Sequence, residues 1–190
     1  MAKKGLKKFK ISVKQVVATG IGAALFFVLG RFISIPSGIP NTNISLQYAV
    51  LGLFAVMYGP VCGFLIGFIG HTLIDLSWGG APWWSWVIAS AVVGAIIGIC
   101  DNKIHLWDGK FGKTEIIRYV VMNAIAHVVA WIGVAPILDI VIYAEDKNLV
   151  FTQGAVACVA NFLTGVIIGG LLILVYVKTL GKPGSLYKNK

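Results

Sequence analysis

Negative charge is the scarcest commodity in this chain. Its 190 residues hold 7 Asp and Glu against 16 Lys and Arg, and charged residues of both signs make up only 12%. Soluble domains carry about 25% charge, which they need to cover their surface. A soluble fold is therefore excluded, and a 58% apolar content excludes disorder. The three cysteines, Cys62, Cys100 and Cys158, lack paired spacing. They read as small packing residues, not as a disulfide framework or a metal site. Catalytic signatures are missing too. There is no His-Glu-x-x-His zinc motif, no Gly-x-Ser-x-Gly elbow and no phosphate loop. No enzyme, cofactor or metal is expected, and a pump with its own nucleotide domain does not fit. Proton relays usually show several intramembrane carboxylates, and only Asp75 and Asp139 qualify. No clear internal repeat marks a two-halved secondary transporter.

What is present is apolar sequence in long uncharged runs. Arg31 and Asp75 enclose 43 uncharged residues, and Asp75 and Asp101 enclose 25. A helix crosses the hydrocarbon core in roughly 20 residues. The expected fold is an all-α polytopic membrane protein of one domain, residues 1–190. Six transmembrane helices are expected, at about 13–32, 44–58, 60–76, 84–100, 114–143 and 151–177. Pro36, Gly38 and Pro40 break the chain after the first, and Gly59-Pro60 after the second. The short second span should be buried among its neighbours or lie where the bilayer is thin. The fifth could be interrupted at Pro136. The N-terminal apolar run is too long, and lacks the small-residue cleavage site, for a removed signal.

Orientation follows from the basic residues. With both termini on one side, that side collects 14 of the 16. They are Lys3, Lys4, Lys7, Lys8, Lys10, Lys14, Lys103, Lys110, Lys113, Arg118, Lys178, Lys182, Lys188 and Lys190. Only Arg31 and Lys147 fall opposite. Both termini are thus expected in the cytoplasm. The net charge of +9 serves topology and lipid headgroups and needs no nucleic-acid partner.

The uncharged polar and aromatic residues gather on the other, outer side. His71 and Asp75 share one helix face, roughly 16 and 22 Å above Pro60. Asn123, His127 and Trp131 form a stripe on the fifth span, and Gln153 and Asn161 share a face of the sixth. The first outer loop brings Asn41 and Asn43, and Gln47 opens the next helix. The second brings Trp78, Trp83, Trp84 and Trp86. Indoles stack on flat heteroaromatic rings, and an apolar pocket with a few convergent polar groups is the usual small-molecule site. Candidate ligand contacts are Asn41, Asn43, Gln47, His71, Asp75, Trp78, Trp84, Asn123, His127 and Asn161. Competing readings exist for several of them, and Asp75 could simply face water at its helix end. Trp83, Trp84 and Trp86 could form an interfacial anchoring belt. The histidines and asparagines could be interhelical hydrogen bonds, and Arg31 reads best as snorkelling.

Small residues recur four apart, which lets helices approach closely. Ala18 with Gly22 and Gly20 with Ala24 make the densest cluster and the best face for a partner subunit. Gly63 with Gly67, Gly94 with Gly98 and Gly165 with Gly169 read as internal packing.

Six short spans, this small-residue face and the loop-roofed pocket resemble the substrate-binding S components of energy-coupling factor (ECF) vitamin transporters. The local match is strongest in Gly30-Arg31-Phe32-Ile33-Ser34-Ile35-Pro36-Ser37-Gly38-Ile39-Pro40-Asn41-Thr42-Asn43 and Pro82-Trp83-Trp84-Ser85-Trp86. The branch it resembles carries riboflavin or hydroxymethylpyrimidine labels. The resemblance implies tight capture of a vitamin or precursor from outside a bacterial cell. It also implies delivery inward with a transmembrane coupling subunit and two ABC-type ATPases. The family's coupling contact maps here to Ala18, Gly20, Gly22 and Ala24. Two other readings stay open: a stand-alone channel or facilitator, and an intramembrane enzyme using His71, Asp75 and His127.

Overall fold

A computed structural model describes residues 11–100, 104 and 106–180. The topology argument leans on Lys3, Lys4, Lys7, Lys8, Lys10, Lys103, Lys182, Lys188 and Lys190, which lie outside the described residues. The described chain is almost entirely helical. Helix α1 spans Val13–Phe32, α2 Gln47–Tyr58, α3 Pro60–Ser77 and α4 Trp84–Gly98. Helix α5 spans Lys113–Tyr143 and α6 Lys147–Leu180. Of these, α1, α3, α5 and α6 are long and apolar enough to cross a membrane, while α2 and α4 are shorter apolar helices.

Local chemistry sets the ends. Ser12 caps α1, its Oγ accepting from the Gln15 N–H at 3.2 Å while Gln15 Oε1 accepts from the Ser12 N–H at 2.9 Å. This reciprocal pair satisfies two otherwise orphaned donors. Asp146 caps α6 by accepting from the Leu149 N–H at 3.0 Å. Gly59, with φ of 88°, turns the chain between α2 and α3, and Pro60 opens α3, where a missing N–H costs nothing.

Two departures from the sequence reading concern prolines and pairing. The second helix begins at Gln47, not near Ile44, because Asn43–Ser45 (β2) pairs antiparallel with Ser34–Pro36 (β1). The segment read as an irregular break is thus a small hairpin, closed by Ser37 Oγ donating to the Thr42 carbonyl at 2.6 Å. Helix α5 runs through Pro136 unbroken. Proline lacks an N–H and crowds the preceding turn. Wider π-helical turns at Val129–Val134 and Asp139–Tyr143 flank it and keep the helix continuous.

Packing explains the short second helix. Nine of its twelve residues are buried, so α2 is a central strut enclosed by its neighbours. Helices α3 and α4 touch backbone to backbone. A Cβ placed on Gly63 would lie 2.3 Å from the Gly94 carbonyl oxygen, and one on Gly67 would lie 2.3 Å from that of Ser90. Gly165 and Gly169 of α6 likewise admit Asn123, Tyr119 and the α2 backbone. The exposed side chains along the middle of α1 (Val16, Val17, Ile21, Leu25, Val28) are aliphatic and suited to lipid.

Candidate functional site

The ends of α1, α3 and α5 and the starts of α2, α4 and α6 meet at one end of the bundle, under the β1–β2 hairpin and the Trp78–Trp83 loop. They enclose a cavity of about 720 Å³. Small-molecule sites span roughly 300–1,000 Å³.

One wall is a polar chain on α3, α4 and α2. Asp75 Oδ1 stands 3.6 Å from His71 Nε2, and Asp75 Oδ2 accepts from the Trp83 N–H at 2.8 Å. His71 Nδ1 bonds Ser90 Oγ at 2.6 Å, and Ser90 Oγ bonds the Tyr48 hydroxyl at 2.8 Å. A second polar group, joined to the first through Trp83, centres on Asp139, which is buried. Its Oδ1 accepts from Trp83 Nε1 at 2.6 Å and from Ser85 Oγ, and its Oδ2 accepts from Trp86 Nε1 at 2.7 Å. Three donors converging on one group is the arrangement of a carboxylate, which only accepts. Asp139 thereby ties the start of α4 to α5.

The remaining surface is aromatic. Trp83 stacks on Tyr143 with ring centroids 4.2 Å apart, and Trp86 lies 5.2 Å from Trp131. Tyr48 meets Trp131 edge to face at 5.6 Å. The Arg31 guanidinium rests on the Trp78 ring, 3.8 Å from its centroid. Such a stack neutralises an exposed indole face and anchors the end of α1.

The structure brings seven of the ten candidate contacts to this cavity: Asn41, Asn43, Gln47, His71, Asp75, Trp78 and Asn161. Three lie elsewhere. Trp84 is largely exposed on the outside of the bundle and stacks on Phe68, 6.0 Å away. Asn123 and His127 are buried behind Tyr48 and Trp131. There Trp131 Nε1 donates to His127 Nδ1 at 2.9 Å, which puts the neutral ring's proton on Nε2. Asn123 Nδ2 donates to the Tyr119 carbonyl.

The candidate contacts left out Tyr48, Trp131, Asp139 and Glu145, all of which line the cavity, although Trp131 was placed on the fifth-span stripe and Asp139 among the intramembrane carboxylates. The signal for Asp139 was there: an intramembrane carboxylate needs donors, and two tryptophans and a serine close in sequence, Trp83, Ser85 and Trp86, offer them. Nothing local marked Tyr48 or Glu145. The small-residue cluster on α1 also divides. Ala18 and Gly22 are buried, with a Cβ on Gly22 only 2.5 Å from the Ile66 side chain. Gly20 and Ala24 face outward, and a Cβ on Gly20 meets nothing within 4 Å.

A family model described as "ECF-type riboflavin transporter, S component" matches residues 10–178. The chain belongs to that family. A transporter component of this kind is not an enzyme class. The chain is also 52% identical over 177 residues to a UPF0397 protein of Lactococcus lactis subsp. cremoris, covering 93% of this chain and 97% of that protein. A UPF0397 protein of an Exiguobacterium species is 50% identical over 175 residues, covering 92% and 96%. One from Enterococcus faecalis is 48% identical over 182 residues, covering 96% and 100%. No solved structure matches the chain.

Proposed function

We propose that this S component captures a planar heteroaromatic vitamin, or a vitamin precursor, in the aromatic cavity. In this reading it crosses the bacterial cell membrane six times, with both termini in the cytoplasm and the cavity facing outward. It then delivers its ligand inward with a transmembrane coupling subunit and two ABC-type ATPases. The observation that carries the reading is a cavity of about 720 Å³, walled by Trp83, Trp86, Trp131 and Tyr48, in a chain of this family. Riboflavin, named in the family's description, is one compound of the expected flat type.

The coupling contact belongs to the Gly20 and Ala24 face, since Ala18 and Gly22 are occupied inside the fold. The α1 surface around those two residues is apolar, and their small side chains suit close helix approach within a membrane.

The test is a melting screen of the purified chain against water-soluble vitamins and their precursors. A ligand at 100 times its dissociation constant should stabilise the fold by about 2.7 kcal/mol. If no compound shifts the melt or quenches tryptophan fluorescence, the substrate site is refuted. Flux through proteoliposomes lacking any ATPase would refute the importer role. Gly20→Leu should abolish assembly with the coupling subunit while leaving ligand binding intact, and the reverse result would refute the assigned face.

A further inference from the structure

The indole donors of Trp83, Trp86 and Trp131 are engaged within the chain, while several acceptors in the cavity wall are not. Trp83 Nε1 and Trp86 Nε1 are committed to Asp139, Trp131 Nε1 to His127, and Gln153 Nε2 to the Pro40 carbonyl at 2.8 Å. Acceptors remain open. Asp75 Oδ1 lies 3.6 Å from His71 Nε2, too far for a hydrogen bond. No side-chain partner within the described residues engages the Glu145 carboxylate. Asn161, buried in the wall, has an Oδ1 that accepts nothing from the chain.

The charge is equally one-sided. Asp75, Asp139 and Glu145 all line the cavity, and among the described residues no Lys or Arg lines it. The carboxylates are spread around the walls and do not form a metal site: among the described residues no three His, Cys, Asp or Glu side chains cluster as metal ligands. The nearby cation, Arg31, is held on the face of Trp78 and is not part of the lining.

From this, and resting on the cavity being the substrate site, we propose that the cavity selects a heteroaromatic ligand that is neutral or cationic and brings a hydrogen-bond donor to these acceptors. Amino, hydroxymethyl and ring N–H groups are the donors meant. The phosphorylated and carboxylated forms of the same rings are rejected. Their negative charge would meet Asp75, Asp139 and Glu145, with no Lys or Arg among the described lining residues to balance it. A ligand donor satisfies Asn161 Oδ1, Asp75 Oδ1 or Glu145, each of which otherwise stays unpaired on ligand entry. At an effective dielectric constant near 20, one like charge roughly 6 Å away already costs roughly 100-fold in affinity.

The experiment is a fluorescence titration of the purified full chain with matched pairs. Riboflavin is compared with riboflavin 5′-phosphate, pyridoxine with pyridoxine 5′-phosphate, thiamine with thiamine monophosphate, and nicotinamide with nicotinate. In any pair that binds, the uncharged or cationic member should bind at least about 100-fold tighter. Asp75→Asn and Glu145→Gln should each narrow that ratio, and Glu145, only partly buried at a helix junction, tolerates its substitution without loss of fold. Equal or tighter binding of a phosphate or carboxylate overturns this proposal while leaving the substrate site standing. A ratio unmoved by both substitutions overturns the assignment to these carboxylates. Failure of every pair, with no hit in the wider vitamin screen, removes the substrate site and this proposal with it.

Discussion

Replacing Asp139 with alanine tests the architecture of the cavity most directly. The substitution removes an acceptor from three donors at once: Trp83 Nε1, Trp86 Nε1 and Ser85 Oγ. A hydrogen bond to a charged group is worth about 1.5–3 kcal/mol, and a stranded buried donor costs about 1–3 kcal/mol. The three are not equal. Trp83 is 40% exposed, so water can replace its lost partner, whereas Ser85 is fully buried and Trp86 partly so. Two stranded donors therefore cost about 2–6 kcal/mol. Against this stands the relief of no longer burying a carboxylate, which offsets part of the loss. The net expectation is a destabilisation of about 3 kcal/mol. For a chain of this length that lowers the melting midpoint by roughly 5–10 °C. Asp139→Asn keeps one acceptor oxygen but turns an NH2 group toward a donor, so it should cost about half as much. Melting in detergent, followed by tryptophan fluorescence, reads both. If the alanine variant melts with the wild type, Asp139 does not tie α4 to α5, and the account of that wall is wrong.

Other outcomes follow from packing and exposure. Gly63→Ala drives a Cβ to 2.3 Å from a backbone oxygen and should cost at least about 3 kcal/mol, seen as a large drop in melting midpoint. Gly20→Ala meets nothing and gains helix propensity, so its midpoint should be unchanged or raised by the equivalent of up to about 1 kcal/mol. Trp78→Ala removes a mostly exposed ring, so stability should change by less than about 1 kcal/mol. Its affinity for a bound ring should nevertheless fall at least about tenfold in the same titration, through lost stacking. Gln153→Ala frees the hairpin from α6 and should cost about 1 kcal/mol, with faster proteolysis near Pro40 as a second readout.

The helices and the polar side of the bundle were legible in the sequence because membrane crossing imposes long uncharged runs. Residues four apart on α3 gave His71 and Asp75 a common face, and both line the cavity. Helical rise gives height but not lateral position. That is why Asn123 and His127, at a plausible depth, lie behind Tyr48 instead of in the wall. Periodicity also separates the tryptophans. Trp83 and Trp86 are three apart and face inward together, whereas Trp84 projects to the other side of α4. The hairpin was illegible because three-residue strands carry no alternation to read. Asp139 gains its partners from another helix, more than 50 residues away, and local sequence does not show such pairing.

The contact between α3 and α4 has a mechanical consequence. Where two backbones touch with no side chain between them, neither helix can slide or roll without driving a carbonyl oxygen into its neighbour. Side-chain interfaces adjust by switching rotamers, and at Gly63, Gly67 and Gly94 there are none to switch. The groups it carries (His71, Asp75 and Ser90, with Trp83 and Trp86 at its rim) therefore keep their mutual spacing as a fixed template. Adjustment to a guest of different outline falls to the hairpin tip, tied to α6 through Gln153 and Pro40, and to the α5–α6 junction beyond Tyr143, where the backbone turns through Ala144 with positive φ. Recognition and admission are thus divided between a stiff half of the molecule and a compliant one.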